Sequence, residues 1–215
     1  MPIIDINKSI YDEDRQFARL NRELLAERGL TAVNLVGSPG SGKTMLLEKA
    51  LPRLHRPSAV ITGDIEGSFD AQRLERAGIQ AVQLNTHGAC HLSPRLVHSA
   101  LQTLELPVGA LVIIENVGNL VCPATIDLGE AGLIAVLSAA EGHEKPLKYP
   151  ALFQRAAVTV ITKTDLAAAA YFDIQKAREA ALQMNPKGRV MALSAVTGEG
   201  MEAFLMLLTE CNGAL

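Results

Sequence analysis

With 215 residues and a formal net charge of −3, the chain can bury a sizeable core and gives no reason to expect nucleic acid or an anionic membrane as partner. Hydrophobic residues make up 48% of it but aromatics only 4%, with no Trp, so the core must be Ala, Leu, Val and Ile, which suits helices layered on a parallel sheet. No basic region precedes a long apolar stretch, no apolar run spans a bilayer, and three cysteines point to a reducing cytoplasm rather than a disulfide framework.

Residues 7–28 read as an amphipathic helix. Ile10, Phe17, Leu20, Leu24 and Leu25 recur at helical spacing among charged residues, and Gly29 supplies a stop. An apolar strand over residues 32–36 then runs into Gly37-Ser38-Pro39-Gly40-Ser41-Gly42-Lys43-Thr44, followed by a helix-forming stretch over 45–51. The eight residues match G-x-x-x-x-G-K-S/T at every fixed position, and strand, glycine turn and helix are the context in which that pattern binds phosphate. The glycines let backbone N–H groups curl inward, the helix start adds its positive dipole end, and Lys43 adds a charge over the β and γ phosphates. Thr44 offers a hydroxyl to Mg²⁺.

Further strands are expected over residues 58–62, 79–84, 110–114, 133–137, 158–162 and 189–193, with helices over 70–77, 94–104, 172–184 and 201–209. Alternating strands and helices, with continuous apolar strand cores, predict an α/β P-loop NTPase with a mostly parallel sheet covered by helices on both faces. The expected organisation is one domain over residues 1–215, with residues 1–30 as an N-terminal helix packed on it.

In such sheets the working residues lie beyond the carboxyl ends of the strands. Glu115 ends the most apolar strand, at the Walker B position whose carboxylate holds the Mg²⁺ shell. Asp64 ends another strand and Asp70 lies in the loop beyond it; each reads as a group for metal or water, or as a helix-cap and turn residue. Lys43, Asp64 and Asp70 are the candidate catalytic residues, with Thr44, Asp64 and Glu115 as candidate Mg²⁺ ligands. Thr162-Lys163-Thr164-Asp165 resembles the N-K-x-D guanine motif with Thr in place of Asn, and Ser194-Ala195 stands at a later strand end. A carboxylate at Asp165 can accept from guanine N1–H and the exocyclic amine, which favours GTP over ATP.

Cys90-His91 follows the third strand and Cys122-Pro123 follows the Walker B strand. Two thiolates and an imidazole suit Zn²⁺ or Ni²⁺, although free cysteines are more often buried small hydrophobes and no short ligand spacing is present. His87 reads either as a solvated loop histidine or as an added ligand; His55, His98, His143 and Cys211 receive no site assignment.

Taken together these segments resemble the hydrogenase nickel-incorporation GTPases. The likeness rests on residues 34–44, Gly63-Asp64-Ile65-Glu66-Gly67-Ser68 with Asp70, Cys90-His91-Leu92, Glu115-Asn116-Val117-Gly118-Asn119-Leu120-Val121-Cys122-Pro123, and Gly142-His143-Glu144-Lys145-Pro146-Leu147-Lys148-Tyr149-Pro150. The resemblance implies a slow GTPase, related to signal-recognition and urease-accessory GTPases, that works as a nucleotide-dependent homodimer. It further implies a nickel or zinc site at Cys90, His91 and Cys122, a small zinc-containing nickel chaperone as partner, and indirect service to a hydrogenase large subunit. Two departures stand out. The cysteine- or histidine-rich N-terminal nickel motif of many members is not expected here, and His87-Gly88-Ala89 and Ser93 replace the residues usual around Cys90-His91. The expected function is a GTP-hydrolysing metallochaperone for nickel–iron hydrogenase maturation. The alternatives are another P-loop metallochaperone of the urease-accessory type, or a metal buffer with a vestigial nucleotide site. A partition-type ATPase would carry a second lysine where Ser38 stands, and a small-molecule kinase would not need the guanine motif.

Overall fold

The computed structural model describes residues 6–64, 67, 69–213 and 215, with side chains from residue 11 onward. Ile65, Glu66 and Ser68 of the quoted motif, and the side chain of Ile10, lie outside the described residues. In chain order the elements are α1 (Ile6–Glu27), β1 (Thr31–Gly37), α2 (Lys43–Ala50), β2 (Ser58–Asp64), α3 (Phe69–Arg76), β3 (Gln80–Asn85), α4 (Pro94–Thr103) and β4 (Leu111–Glu115). They continue with β5 (Gly132–Ser138), α5 (Lys145–Lys148), α6 (Pro150–Arg155), β6 (Val158–Thr162), α7 (Ile174–Met184), β7 (Arg189–Ala192) and α8 (Met201–Glu210).

Every residue of β1 is buried, and β1 occupies the middle of a seven-stranded sheet of order β3-β2-β4-β1-β5-β6-β7. All pairings are parallel, with Leu35 opposite Glu115 on β4 and Ile134 on β5. From β1 the sheet grows one way through β4, β2 and β3 and the other way through β5 to β7. The loop leaving β1 therefore opens at the switch point where such sheets bind ligands.

Side chains of each strand alternate between two apolar layers. Leu111 and Ile113 of β4 face Leu46 and Leu47 of α2, Leu74 of α3 and Phe204 of α8. Val112 and Ile114 face the other way, onto Leu25 of α1 and Val97 and Leu101 of α4. On that same face, toward the β7 edge, Leu133, Ala135 and Leu137 pack on Leu152 and Phe153 of α6 and Ala177 of α7. Full burial of one such Leu or Phe side chain contributes roughly 1.5–3 kcal/mol.

α1 is held by more than its apolar stripe. Asn21 is fully buried, and its side-chain amide donates to the carbonyls of Pro94 (2.9 Å) and Leu128 (2.8 Å) while its oxygen faces His98 Nδ1 at 2.9 Å. Arg22 adds an ion pair to Asp127. The helix thus fastens two segments, one following His91 and one following Cys122.

The sequence pattern misses α5 and α6, each little more than one turn with a proline at its first or second residue, too short to show a helical period. It also starts α7 two residues early. Asp173 accepts from Lys176 N–H at 3.0 Å and caps the helix there. Among the described residues no helix is long and apolar enough to cross a membrane.

Candidate nucleotide and metal sites

The loop between β1 and α2 closes because Gly40 and Gly42 take φ of 71° and 91°, which a side chain would oppose. Lys43, 7% exposed, folds back so that Nζ donates to the carbonyls of Gly37 and Ser38 at 3.3 Å. Burial lowers the pKa of its ammonium; the carboxylates of Glu115, Asp70 and Glu141 act against that. A second lysine, Lys145, donates to Ser38 Oγ at 2.9 Å and to Glu141 at 2.7 Å, a contact with the loop that the sequence reading missed.

Thr44 donates its hydroxyl to Glu115 Oε1 at 2.7 Å. Glu115 is 3% exposed and its other oxygen has no hydrogen-bond partner among the described residues. Burial pushes its pKa up to about 7, against the pull of Lys43 and the Thr44 hydroxyl. A buried hydroxyl–carboxylate pair with an orphaned oxygen suits a hard, oxygen-seeking cation such as Mg²⁺. Asp64, at the end of β2, and Asp70, in the first turn of α3, line the same open cavity of about 450 Å³ as Lys43, Thr44 and Glu115. Asp70 also stands 3.8 Å from Arg73, which pairs with Glu48 at 2.6 Å.

At the far side of the loop, Thr162 donates to the carbonyl of Ser41 at 2.6 Å, so the threonine that replaces Asn ties the β6 end to the phosphate loop. Lys163, at a left-handed φ of 58°, donates to Gly40 O at 2.6 Å. Asp165 receives the Ser194 hydroxyl at 2.5 Å, and Ser194 in turn accepts from the N–H groups of Val196 and Thr197. Ala195, partly buried against the core, completes that turn. The carboxylate of Asp165 is therefore held by the strand end that follows β7.

Cys90, His91 and Cys122 come together on the same edge of the sheet, their ligand atoms all within 4.8 Å of one another. Cys90 Sγ lies 3.6 Å from His91 Nδ1. The hydrogen bond with Cys122, burial and the neighbouring sulfur's charge push the Cys90 thiol up, a penalty that a cation taking both sulfurs as thiolates relieves. Asp14 of α1 is within electrostatic reach of His91; burial raises its pKa and His91 opposes the rise. His87, exposed and at φ 49°, lies outside this cluster. Cys211 is buried in the α2–α8 layer, where it packs as an apolar side chain.

Two further residues join the sites and were not singled out by sequence reasoning. Asn116, 1% exposed, accepts from Leu92 N–H at 3.1 Å and donates to Asn34 of β1 at 3.3 Å. Asn119 donates to Cys90 O at 3.2 Å. Both lie in the Glu115–Pro123 stretch that carries the family likeness, but as individual residues after an apolar strand they look like ordinary turn asparagines.

Comparison with known proteins agrees with this fold. The family described as "CobW/HypB/UreG, nucleotide-binding domain" matches residues 31–192. The hydrogenase maturation factor HypB of Azotobacter chroococcum is 44% identical over 214 residues, covering 99% of this chain and 70% of its own. A probable HypB of Methanocaldococcus jannaschii is 42% identical, covering 97% and 95%. The crystal structure of Helicobacter pylori HypB in complex with nickel superposes with a TM-score of 0.87 at 34% identity, over 92% of this chain and 94% of that one. The chain belongs to the CobW/HypB/UreG family of nucleotide-binding proteins, and within it to the HypB hydrogenase maturation factors.

Proposed function

We propose that the chain is a slow GTPase and metallochaperone that binds nickel or zinc at Cys90, His91 and Cys122 and releases nickel for hydrogenase maturation under control of its nucleotide. The observation that carries this reading is that one short segment ends in both sites, with Glu115 against Thr44 of the phosphate loop and Cys122 in the thiol–imidazole cluster. A nickel-bound relative supports nickel as the cargo.

GTP would lie along the loop with its phosphates under the N–H groups of residues 37–44 and its base at Asp165, where the Ser194 hydrogen bond orients the carboxylate. On binding, Lys43 exchanges its two loop carbonyls for phosphate oxygens. Mg²⁺ would be held by Thr44, Glu115 and Asp64, and supplies charge neutralisation of the phosphates. In hydrolysis a water oxygen bonds to the γ-phosphorus, the bond to the β–γ bridging oxygen breaks, and GDP and phosphate leave. Asp64 and Asp70, on the wall of the cavity, are the residues we assign to positioning that water.

Val121 and Phe69, 60% and 77% exposed, stand beside Cys122 and beside Asp70 respectively. These exposed apolar side chains support burial of this edge against a second copy of the chain in a nucleotide-dependent dimer. The reading extends to one domain over residues 1–215, a cytoplasmic site of action where thiols stay reduced, and a small zinc-containing chaperone that exchanges nickel with the chain before a hydrogenase large subunit receives it. The test measures GTP turnover and bound nickel in parent, Lys43→Ala and Cys122→Ala. Turnover lost only in the first variant and nickel lost only in the last are expected. Turnover that survives Lys43→Ala, or nickel that survives Cys122→Ala, overturns the assignment.

A further inference from the structure

The segment from Glu115 to Cys122 touches both sites at intervals. Glu115 accepts from Thr44 at its start, and Asn116 anchors it to the rigid sheet through Asn34. Gly118 then lies directly on the phosphate loop, where an added Cβ would stand 2.9 Å from N, Cα and Cγ of Pro39. The next residue is Asn119. Its amide nitrogen donates to Cys90 O at 3.2 Å while its oxygen accepts from Val121 N–H at 2.9 Å. The second bond is ordinary local turn chemistry. The first is not, because Cys90 belongs to the loop after β3.

One rigid planar amide therefore bridges the two arms that carry the metal ligands, one residue away from the contact with the phosphate loop. We propose that Asn119 is the positioning residue of the metal site: it sets the separation of the Cys90-His91 and Cys122 arms, and through Gly118 makes that separation follow the phosphate loop. The first half of this proposal stands without nucleotide; the second rests on the nucleotide control proposed above. A movement of Pro39 as phosphates enter presses on Gly118, shifts Asn119 with it, and pulls the Cys90 carbonyl relative to Val121. Asn116 holds Leu92 N–H at 3.1 Å, so motion of the Cys90 arm pivots about Leu92 rather than displacing the whole loop.

The test uses the full chain with Ni²⁺ and Co²⁺ as probes, in parent, Asn119→Ala and Gly118→Ala. For Asn119→Ala without nucleotide, the nickel dissociation constant is expected to rise about tenfold, the scale on which supporting shells tune metal affinity. The Co²⁺–thiolate absorption band should change shape, while GTP affinity and nickel-free turnover stay at parent values and report a folded protein. Gly118→Ala, measured at saturating nucleotide, is expected to erase the difference in nickel affinity between the GDP and GTP-analogue forms. Unchanged nickel affinity and an unchanged Co²⁺ band in Asn119→Ala overturn the positioning role. A difference that persists in Gly118→Ala overturns the coupling. If the parent itself binds nickel equally in both nucleotide forms, nucleotide control and the coupling both fail, and the nucleotide-free result alone decides on Asn119.

Discussion

Glu115→Gln tests the electrostatics at the centre of the nucleotide site. Glu115 is 3% exposed, and burial lifts its carboxyl from 4.5 to about 7 in the absence of a cation. A carboxyl raised in this way binds more protons in the folded than in the unfolded chain between those values. Its contribution to stability is therefore complete below pH 4.5 and is lost as pH rises through about 7. At 1.36 kcal/mol per pH unit, the loss amounts to about 2–3 kcal/mol between pH 5 and pH 8. Gln keeps the shape and an acceptor for Thr44 but carries no charge to desolvate. Urea unfolding with EDTA and no nucleotide should show the variant gaining about 2–3 kcal/mol on the parent between those two pH values. With Mg²⁺ and GDP the order should reverse, because only the parent keeps a carboxylate for the cation. A parent–variant gap that is the same at pH 5 and pH 8 refutes the claim that this buried carboxylate is held at a cost.

Other outcomes follow from neighbouring contacts. Asp165→Asn presents a donor where guanine needs an acceptor, and the preference for GTP over ATP in competition binding should fall by about 100-fold or more. Replacing Cys122 by Ala leaves two ligands, so nickel affinity in equilibrium dialysis should drop by at least about tenfold with nickel-free GTP turnover intact. Asn21→Leu strips the carbonyls of Pro94 and Leu128 of their buried donor, and urea unfolding should show a loss of about 2–4 kcal/mol.

The nucleotide site was legible because its parts are local. Strand, glycine turn, Lys43 and Thr44 are contiguous, and the apolar runs of β1, β4 and β6 announce the strand ends where Glu115 and Asp165 stand. The thiol–imidazole cluster proposed to hold the metal was legible only as two separate Cys-containing loops together with a family likeness. The loops meet because β2 pairs with both β3 and β4, which brings the exits of β3 and β4 to one edge, and that is a property of the topology rather than of sequence spacing. Asn21, Asn116 and Asn119 were illegible for a common reason. An asparagine that pins distant carbonyls or loops looks, in sequence, like one that only faces water. Lys145 was hidden for another: α5 is too short to show which way its side chains point.

The proposed function stands or falls on whether the nucleotide sets the grip on the metal. The direct measurement is a nickel titration of the full chain, monitored by thiolate charge-transfer absorption, with saturating GDP and then with a non-hydrolysable GTP analogue, Mg²⁺ present in both. Nucleotide control predicts dissociation constants that differ about fivefold or more between the two forms, with reciprocal strengthening or weakening of nucleotide binding when nickel is added. Equal nickel affinities in the two forms would contradict it.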